Sequence, residues 1–515
     1  MSDRVLASVT PDQAHGSSHP APAPTRRRLP ARIAAHLRRV PTAAWACALV
    51  ACLNAACWSL ITPPFQAPDE PSHFAYVQDL VETGRLPSGG VESFSPQEQI
   101  VLRDLQQGEV RYSPQNHTIS TATEQAQLQR DLSLPLSGAS TNAGVAASEP
   151  PLYYALETIP YYAASSGTLL DRLALMRLFS ALTAGLTTLF VFLFLREALP
   201  RRPWAWTVGG LGVAFAPLLG MMAGAINSDA LLYAVSAALF FCLARGFRRG
   251  LTPKLAVLTG AVIAAGLLTK LNFFGLLPGA FLGLLVLTWR ARRVSRRAAY
   301  RSLALACTIA AIPPGLYVAI NLLTGRHTYG TISPPVASTT AKGSIFKEIS
   351  YIWQFYLPRL PGMHDYFPGL LTTRQFWANG FVGLYGWVDT VFPAWVYKAA
   401  LVPIVLLAVL FVSGVLRNRV SLRRRLSELS IYSVMLVGLA GLVGASDYLE
   451  FPGATGSYAQ PRYLLPTAAL YGAVLALAAR GAGRRWGPVV GASIVMLFIA
   501  HDVFSQLLEI SRFYG

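Results

Sequence analysis

Eleven apolar runs constrain this chain more than any motif in it. They lie near residues 43–61, 173–195, 205–224, 229–244, 255–269, 271–289, 302–322, 400–416, 429–445, 461–479 and 487–508. Crossing the hydrocarbon core takes about 20 apolar residues in a helix, and lipid admits only helices or closed barrels because no water is present to satisfy backbone groups. Mean hydropathy of +0.42, with 53% hydrophobic and only 13% charged residues, agrees with that reading. The expected fold class is an all-α polytopic membrane protein with about 11 transmembrane helices.

The net charge of +18 does not point to nucleic acid, because the arginines cluster between apolar runs. Arg196/Arg201/Arg202, Arg245/Arg248/Arg249/Lys254, Arg290 to Arg301, Arg417 to Arg425 and Arg480/Arg484/Arg485 fill every second connection. Positive loops stay cytoplasmic, so the alternate connections face outward. Leu152–Ala164 would break this alternation if it crossed, and its paired tyrosines suit an interfacial helix. Two large outward loops follow, roughly 62–172 and 323–399. Residues 1–42, rich in Pro, Ala, Ser and Arg, read as a disordered basic cytoplasmic tail ahead of a membrane domain over 43–515. Cys47, Cys52, Cys57, Cys242 and Cys307 all fall in apolar runs, which leaves the outward loops without a disulfide.

Directly after the first run comes Pro63-Pro64-Phe65-Gln66-Ala67-Pro68-Asp69-Glu70-Pro71-Ser72-His73-Phe74. Proline stops the helix and stiffens the turn, so the adjacent carboxylates are presented at the membrane boundary on a rigid support. A plainer reading makes Asp69 a helix N-cap with Glu70 in the first turn. Other polar residues reach the same face: Glu149 and Tyr153 at the end of the first loop, Asn227 and Asp229, Lys270 and Asn272, and Arg462 with Tyr463. Helix capping by Asp229 and snorkelling by Lys270 are the structural alternatives. Arg462 stands against the positive-inside bias. The second loop adds a dense aromatic run containing Trp387 and Asp389, which suits either an interfacial belt or a stacking surface for sugar and isoprenoid.

Acids and cations gathered at one membrane surface suit a lipid-linked sugar. A carboxylate takes the acceptor's proton, and Arg or Lys neutralises the leaving phosphate. Neither a P-loop nor a dinucleotide fingerprint is present, so a nucleotide donor is not expected. A lipid-linked glycan polymerase or ligase would share these substrates. A transporter or flippase would place its charges nearer the bilayer midplane.

The arrangement resembles the GT-C superfamily of polytopic glycosyltransferases, in which an acidic motif follows the first span. More closely, Pro68-Asp69-Glu70-Pro71-Ser72-His73, Glu149-Pro150-Pro151-Leu152-Tyr153-Tyr154, Asn227-Ser228-Asp229, Leu384-Tyr385-Gly386-Trp387-Val388-Asp389-Thr390 and Gln460-Pro461-Arg462-Tyr463-Leu464-Leu465-Pro466 resemble the domain of unknown function 2142 family of predicted bacterial membrane proteins. That family usually has Gly where Pro461 stands here. The resemblance implies Asp69 as catalytic base, with Glu70 as its partner and His73 orienting a carboxylate. Glu149, Tyr153, Asn227, Asp229, Lys270, Asn272, Trp387, Asp389, Arg462 and Tyr463 become the expected substrate-binding set. No cofactor is fixed by these residues; Asp69, Glu70 and His73 are the set that would hold Mg or Mn if a divalent metal takes part. The implied partners are a polyprenyl-phosphate sugar donor, an envelope glycan or protein acceptor, and the lipid bilayer. The implied location is the cytoplasmic membrane, with the N-terminus inside and the site outside.

Overall fold

We describe the protein from a computed structural model covering residues 40–87, 93–118, 120–134, 143–326, 345–367, 373–450 and 460–515. Nearly all of the basic tail expected over 1–42, and parts of both loops expected to face outward, lie outside the described residues.

Each of the eleven apolar runs becomes helix, but not all are full spans. Among the described residues, nine helical segments are long and apolar enough to cross: Thr42–Ile61, Leu169–Ala198, Ser228–Arg249, Leu271–Ala291, Arg296–Leu323, Ala394–Arg417, Leu426–Leu449, Pro461–Gly481 and Gly483–Tyr514. The run at 205–224 is two helices, Pro203–Ala214 and Pro217–Ala223, bent by 60°. Pro217 is the physical cause, since its ring cannot continue the preceding helix. Pro253–Leu267 has 15 residues, about 22 Å of helix, short of the roughly 30 Å core. Beside the expected 11 or so, the described residues hold nine helices that pass by length and composition, or ten if the bent pair crosses as a unit. Leu152–Ala163 is a 12-residue helix, too short to cross. One side of it buries Tyr153, Tyr154, Glu157 and Tyr161 while Ile159 and Tyr162 stay exposed, the two-faced pattern of a helix lying along a surface.

The long helices pack closely around small residues. At Gly209, Gly414 and Gly481 a Cβ would come within about 2.5 Å of the backbone of a facing helix, so backbones meet there as small-residue contacts in lipid require.

Charge is sorted along the spans. On Leu169–Ala198, Arg177 lies near one end and Glu197 at the other, twenty residues and about 30 Å apart. Buried Glu197 gathers Arg245, Arg248 and Arg249 at 2.7–3.3 Å. Asp229 and Lys270 begin their helices at the end opposite those arginines.

Beyond the spans, helices Glu70–Thr83, Pro96–Asp104, Ala122–Leu132 and Leu152–Ala163 contribute to a second hydrophobic core around Phe65, Phe74, Tyr76, Tyr154 and Tyr161. In the second loop, helices Ile345–Tyr356 and Thr373–Gly383 precede a two-residue-per-strand hairpin, Leu384–Tyr385 with Thr390–Val391. Its aromatics pack on one another: Tyr351 on Phe367 at 4.9 Å and Tyr356 on Trp377 at 5.0 Å. Gly380 sits where Pro461 needs space, since a Cβ there would lie 1.8 Å from the Pro461 ring. This small residue is what accommodates Pro461 beside the Arg-Tyr pair.

Candidate active site

Pro63 and Pro64 end the first span and strand its last carbonyls, which no further helical turn can satisfy. Arg177 takes over that role from a different helix. Its Nη1 donates to Ser59 O at 3.1 Å and Thr62 O at 2.7 Å, and Nη2 donates to Pro63 O at 2.9 Å. The same guanidinium grips Glu70 in a fork, Nε to Oε1 at 2.7 Å and Nη2 to Oε2 at 2.5 Å. All five arginine donors are thus engaged. Glu70, wholly buried, accepts two more bonds, from Phe65 N and Ile226 N.

With Glu70 turned inward, Asp69 faces the other way. Its backbone is left-handed, φ 62° and ψ 8°, and its side chain makes no capping bond to the helix that follows. A non-glycine residue held at positive φ carries a cost of order 1–3 kcal/mol, tolerated where the surroundings fix it. Here the conformation aims the carboxylate at Arg462, Oδ2 to Nη2 at 2.8 Å.

From that pair an alternating chain of charge runs inward. Arg462 Nε is 3.6 Å from Asp229 Oδ2, Asp229 Oδ1 is 3.0 Å from Lys270 Nζ, and Lys270 Nζ is 3.5 Å from Glu149 Oε1. Five segments distant in sequence therefore meet. Asp69 is the most open member, its side chain 28% exposed against 4% for Arg462 and 0% for Asp229. Burial is the largest influence on the Asp69 pKa and raises it, but Arg462, through its charge and hydrogen bond, together with His73 and Lys270 holds the carboxyl below its ordinary value. For Glu149 burial wins over the pull of Lys270 and moves its pKa up.

Arg462 is incompletely used. Among the described residues its Nη1 meets only the Met222 thioether, at 3.8 Å, and its Nε contact with Asp229 is too long for a hydrogen bond. It lines a small cleft with Pro68, Met221, Gly386, Val388 and Pro461.

His73 is buried, and its Nδ1 lies 2.8 Å from the Tyr154 hydroxyl. Desolvation and the Lys270 charge push its pKa down to about 3, so the imidazole is neutral at physiological pH. Among the described residues no three His, Cys, Asp or Glu side chains assemble as a metal cluster. Glu70, bound up with Arg177, and His73, bound to Tyr154, converge on no common point with Asp69.

The other expected residues divide. Asn227 is central: Oδ1 accepts from Asp229 N at 2.9 Å, and Nδ2 donates to Pro68 O at 3.3 Å. Tyr153 supports it, its hydroxyl accepting from Asn227 N at 2.9 Å and pairing with Ser180 Oγ at 2.6 Å. Tyr463 stands beside the site, its ring 5.3 Å from the Arg462 guanidinium. Asn272 is half-buried two residues past Lys270, outside the chain of ion pairs. Trp387 and Asp389 belong to a different cluster. Trp387 stacks under Arg111 at 3.7 Å, and Asp389 pairs with Arg512 at 3.2 Å. Arg512 also holds Val110 O, Ser113 O and Asn116 O, so this second cluster ties both loops to the last helix. From the hairpin, Leu384, Gly386 and Val388 line the Arg462 cleft.

Sequence reasoning gave Arg177 no role. The signal was the one that marked Arg462, an arginine on the wrong side of the positive-inside pattern.

A model of the family described as "Predicted membrane protein (DUF2142)" matches residues 52–471. Among solved structures, the fold is similar to the oligosaccharyltransferase of Archaeoglobus fulgidus in its apo form, with 13% identity and a TM-score of 0.41 over 91% of this chain and 56% of that one. The same enzyme tethered to an acceptor peptide containing the NVT sequon gives 12% and 0.40, over 92% and 55%. The chain spans little more than half the length of those structures. No curated protein matches it.

Proposed function

Given that the chain belongs to the DUF2142 family of predicted membrane proteins, we propose that it is a membrane glycosyltransferase of GT-C type. It moves a sugar from a polyprenyl-phosphate donor to an envelope glycan or protein acceptor on the outer face of the cytoplasmic membrane. The observation that carries this reading is the Asp69–Arg462–Asp229–Lys270–Glu149 chain, which puts two buried cations behind one half-open carboxylate.

In this reading the donor phosphate enters at the Arg462 cleft. Arg462 and Lys270 receive it, and Arg462 exchanges Asp69 for a phosphate oxygen, as a guanidinium with spare donors does readily. Asp69, released, regains basicity. It accepts the proton of the acceptor hydroxyl while the acceptor oxygen bonds to the anomeric carbon. The bond from that carbon to the phosphate oxygen breaks, and polyprenyl phosphate leaves with the electron pair, its new charge held by the two cations. Glu149 ends the chain 3.5 Å from Lys270 and holds that cation in place. Glu70 and His73 act as positioning residues: Glu70 locks the turn to Arg177, and His73 stays neutral behind Asp69. Trp387 and Asp389 brace the hairpin that closes the cleft.

The sidedness of the site rests on the arginine clusters, which occupy the opposite ends of the spans carrying Arg177, Asp229 and Lys270. The test is transfer by purified protein in nanodiscs with a panel of polyprenyl-phosphate sugars. Transfer from one donor class is expected. No transfer from any of them by demonstrably folded protein would overturn the reading.

A further inference from the structure

The stretch that presents Asp69 toward Arg462 also borders a second, larger cleft. Pro64 and Gln66 form one wall, Asp104 and Gln106 another, Glu124 a third, and Tyr514 of the last helix closes it. The cleft encloses about 130 Å³ and is open to solvent on one side.

Gln66 is the anomaly. Its side chain is 1% exposed, yet neither Oε1 nor Nε2 has a hydrogen-bond partner. A buried amide without partners is costly, and native structures rarely keep one unless something else satisfies it. The neighbouring groups are polar and fixed. Gln106 Nε2 donates to Glu124 Oε1 at 2.9 Å, and Glu124 is locked by its capping box with Thr121. Arg103 takes one oxygen of Asp104 from outside at 2.7 Å. The cleft itself is lined by no Lys, Arg or His among the described residues. A phosphate or other anion would face two carboxylates and find no cation. Amides and carboxylates with a proline face and an open tyrosine ring instead match a molecule with many hydroxyls and a few C–H faces.

We infer that this cleft binds an uncharged, hydroxyl-rich saccharide, serving as the subsite for the acceptor glycan. The inference rests on the transferase reading for its role, though not for the binding itself. Hydroxyls of the saccharide donate to Asp104 and Glu124, the Gln66 amide both donates and accepts, and a sugar C–H face lies on the Tyr514 ring. Gln66 and Asp69 are three residues apart on one stiff turn, so acceptor on one side and donor on the other meet across the catalytic carboxylate. This arrangement also separates the two substrates by charge, cations for the donor and neutral polar groups for the acceptor.

The test is binding, kept apart from transfer. Full-length protein in nanodiscs is titrated with neutral mannan-, arabinan- and glucan-type oligosaccharides and with an anionic oligosaccharide, read by calorimetry and saturation-transfer NMR. One neutral class is expected to bind, with Kd raised at least tenfold in Tyr514→Ala or Gln66→Leu. Binding of a polyprenyl-phosphate sugar should be unaffected in Tyr514→Ala, whose side chain is exposed enough for the protein to fold if Gln66→Leu does not. Saccharide binding to none of the panel, binding of the anionic probe alone, or a Kd unchanged in both variants would overturn the inference. No transfer from any donor by folded wild type would instead refute the transferase reading and leave saccharide binding to be judged on its own result.

Discussion

Arg462 Nη2 lies 2.8 Å from Asp69 Oδ2 across 393 residues of sequence. The pair joins the turn after the first span to the start of a much later one. Its arginine is nearly buried and its aspartate half-open, which makes the arginine the fixed member and the carboxylate the one free to exchange partners.

Replacing Arg462 tests what it holds. Arg462→Ala should weaken binding of a polyprenyl-phosphate sugar by about 2–5 kcal/mol, the cost of losing one partner of a desolvated charge pair. Arg462→Lys should recover only part, because a point charge cannot reproduce the fork. Donor affinity unchanged in Arg462→Ala would return this residue to a purely structural role.

Arg177 should behave differently. Arg177→Ala leaves Glu70 buried without its countercharge and the first span's carbonyls uncapped, so a stability loss of about 3–5 kcal/mol is expected. The double variant Arg177→Met/Glu70→Gln should recover much of it. Thermal unfolding in detergent checks this, and an Arg177→Ala protein as stable as wild type would refute the anchoring role.

The pH dependence of stability has a contribution with a definite sign from His73. Its folded pKa, about 3, lies below the unfolded value of about 6.5. The unfolded chain therefore binds more protons between those values, and the His73 contribution is complete above pH ~6.5 and lost as pH falls toward 3. Other buried acids titrate nearby, so the measurement is the difference between wild type and His73→Gln. Stability of His73→Gln should decline less from pH 7 to pH 5; parallel curves would count against burial of a neutral imidazole.

Sidedness is directly measurable. In a background lacking the native cysteines, Val145→Cys, at an exposed position in the first loop, should react with an impermeant thiol reagent added to intact cells. Val294→Cys, exposed in a basic connection, should react only after lysis. The reverse pattern would invert the topology.

The helical architecture was legible because apolar length is a one-dimensional property, and each of the eleven runs does fold as helix. The run at 255–269 was already short, and Pro253–Leu267 has only 15 residues, whereas the 60° bend before Pro217 is a matter of geometry that composition does not carry. The charged residues at one end of the bundle were legible as a set, since positive-inside bias sorts the connections. Their pairings were not. Adjacent Asp69 and Glu70 look equivalent in sequence, and only a left-handed φ at Asp69 sends one to Arg462 and the other to Arg177. Trp387 and Asp389 share a motif with Gly386 and Val388, but the hairpin turns the first two toward Arg111 and Arg512 while Gly386 and Val388 line the cleft. Such choices depend on long-range packing, which no local pattern encodes.

The most direct test compares wild type with Asp69→Asn, each shown to be folded, in nanodiscs with the donor that wild type accepts. Transfer by wild type, with loss of at least a hundredfold in Asp69→Asn and little change in donor affinity, is the expected result, in line with the roughly 10²–10⁴ contribution of a general base. Asp69→Asn transferring at the wild-type rate would contradict the assignment of Asp69 as the catalytic base.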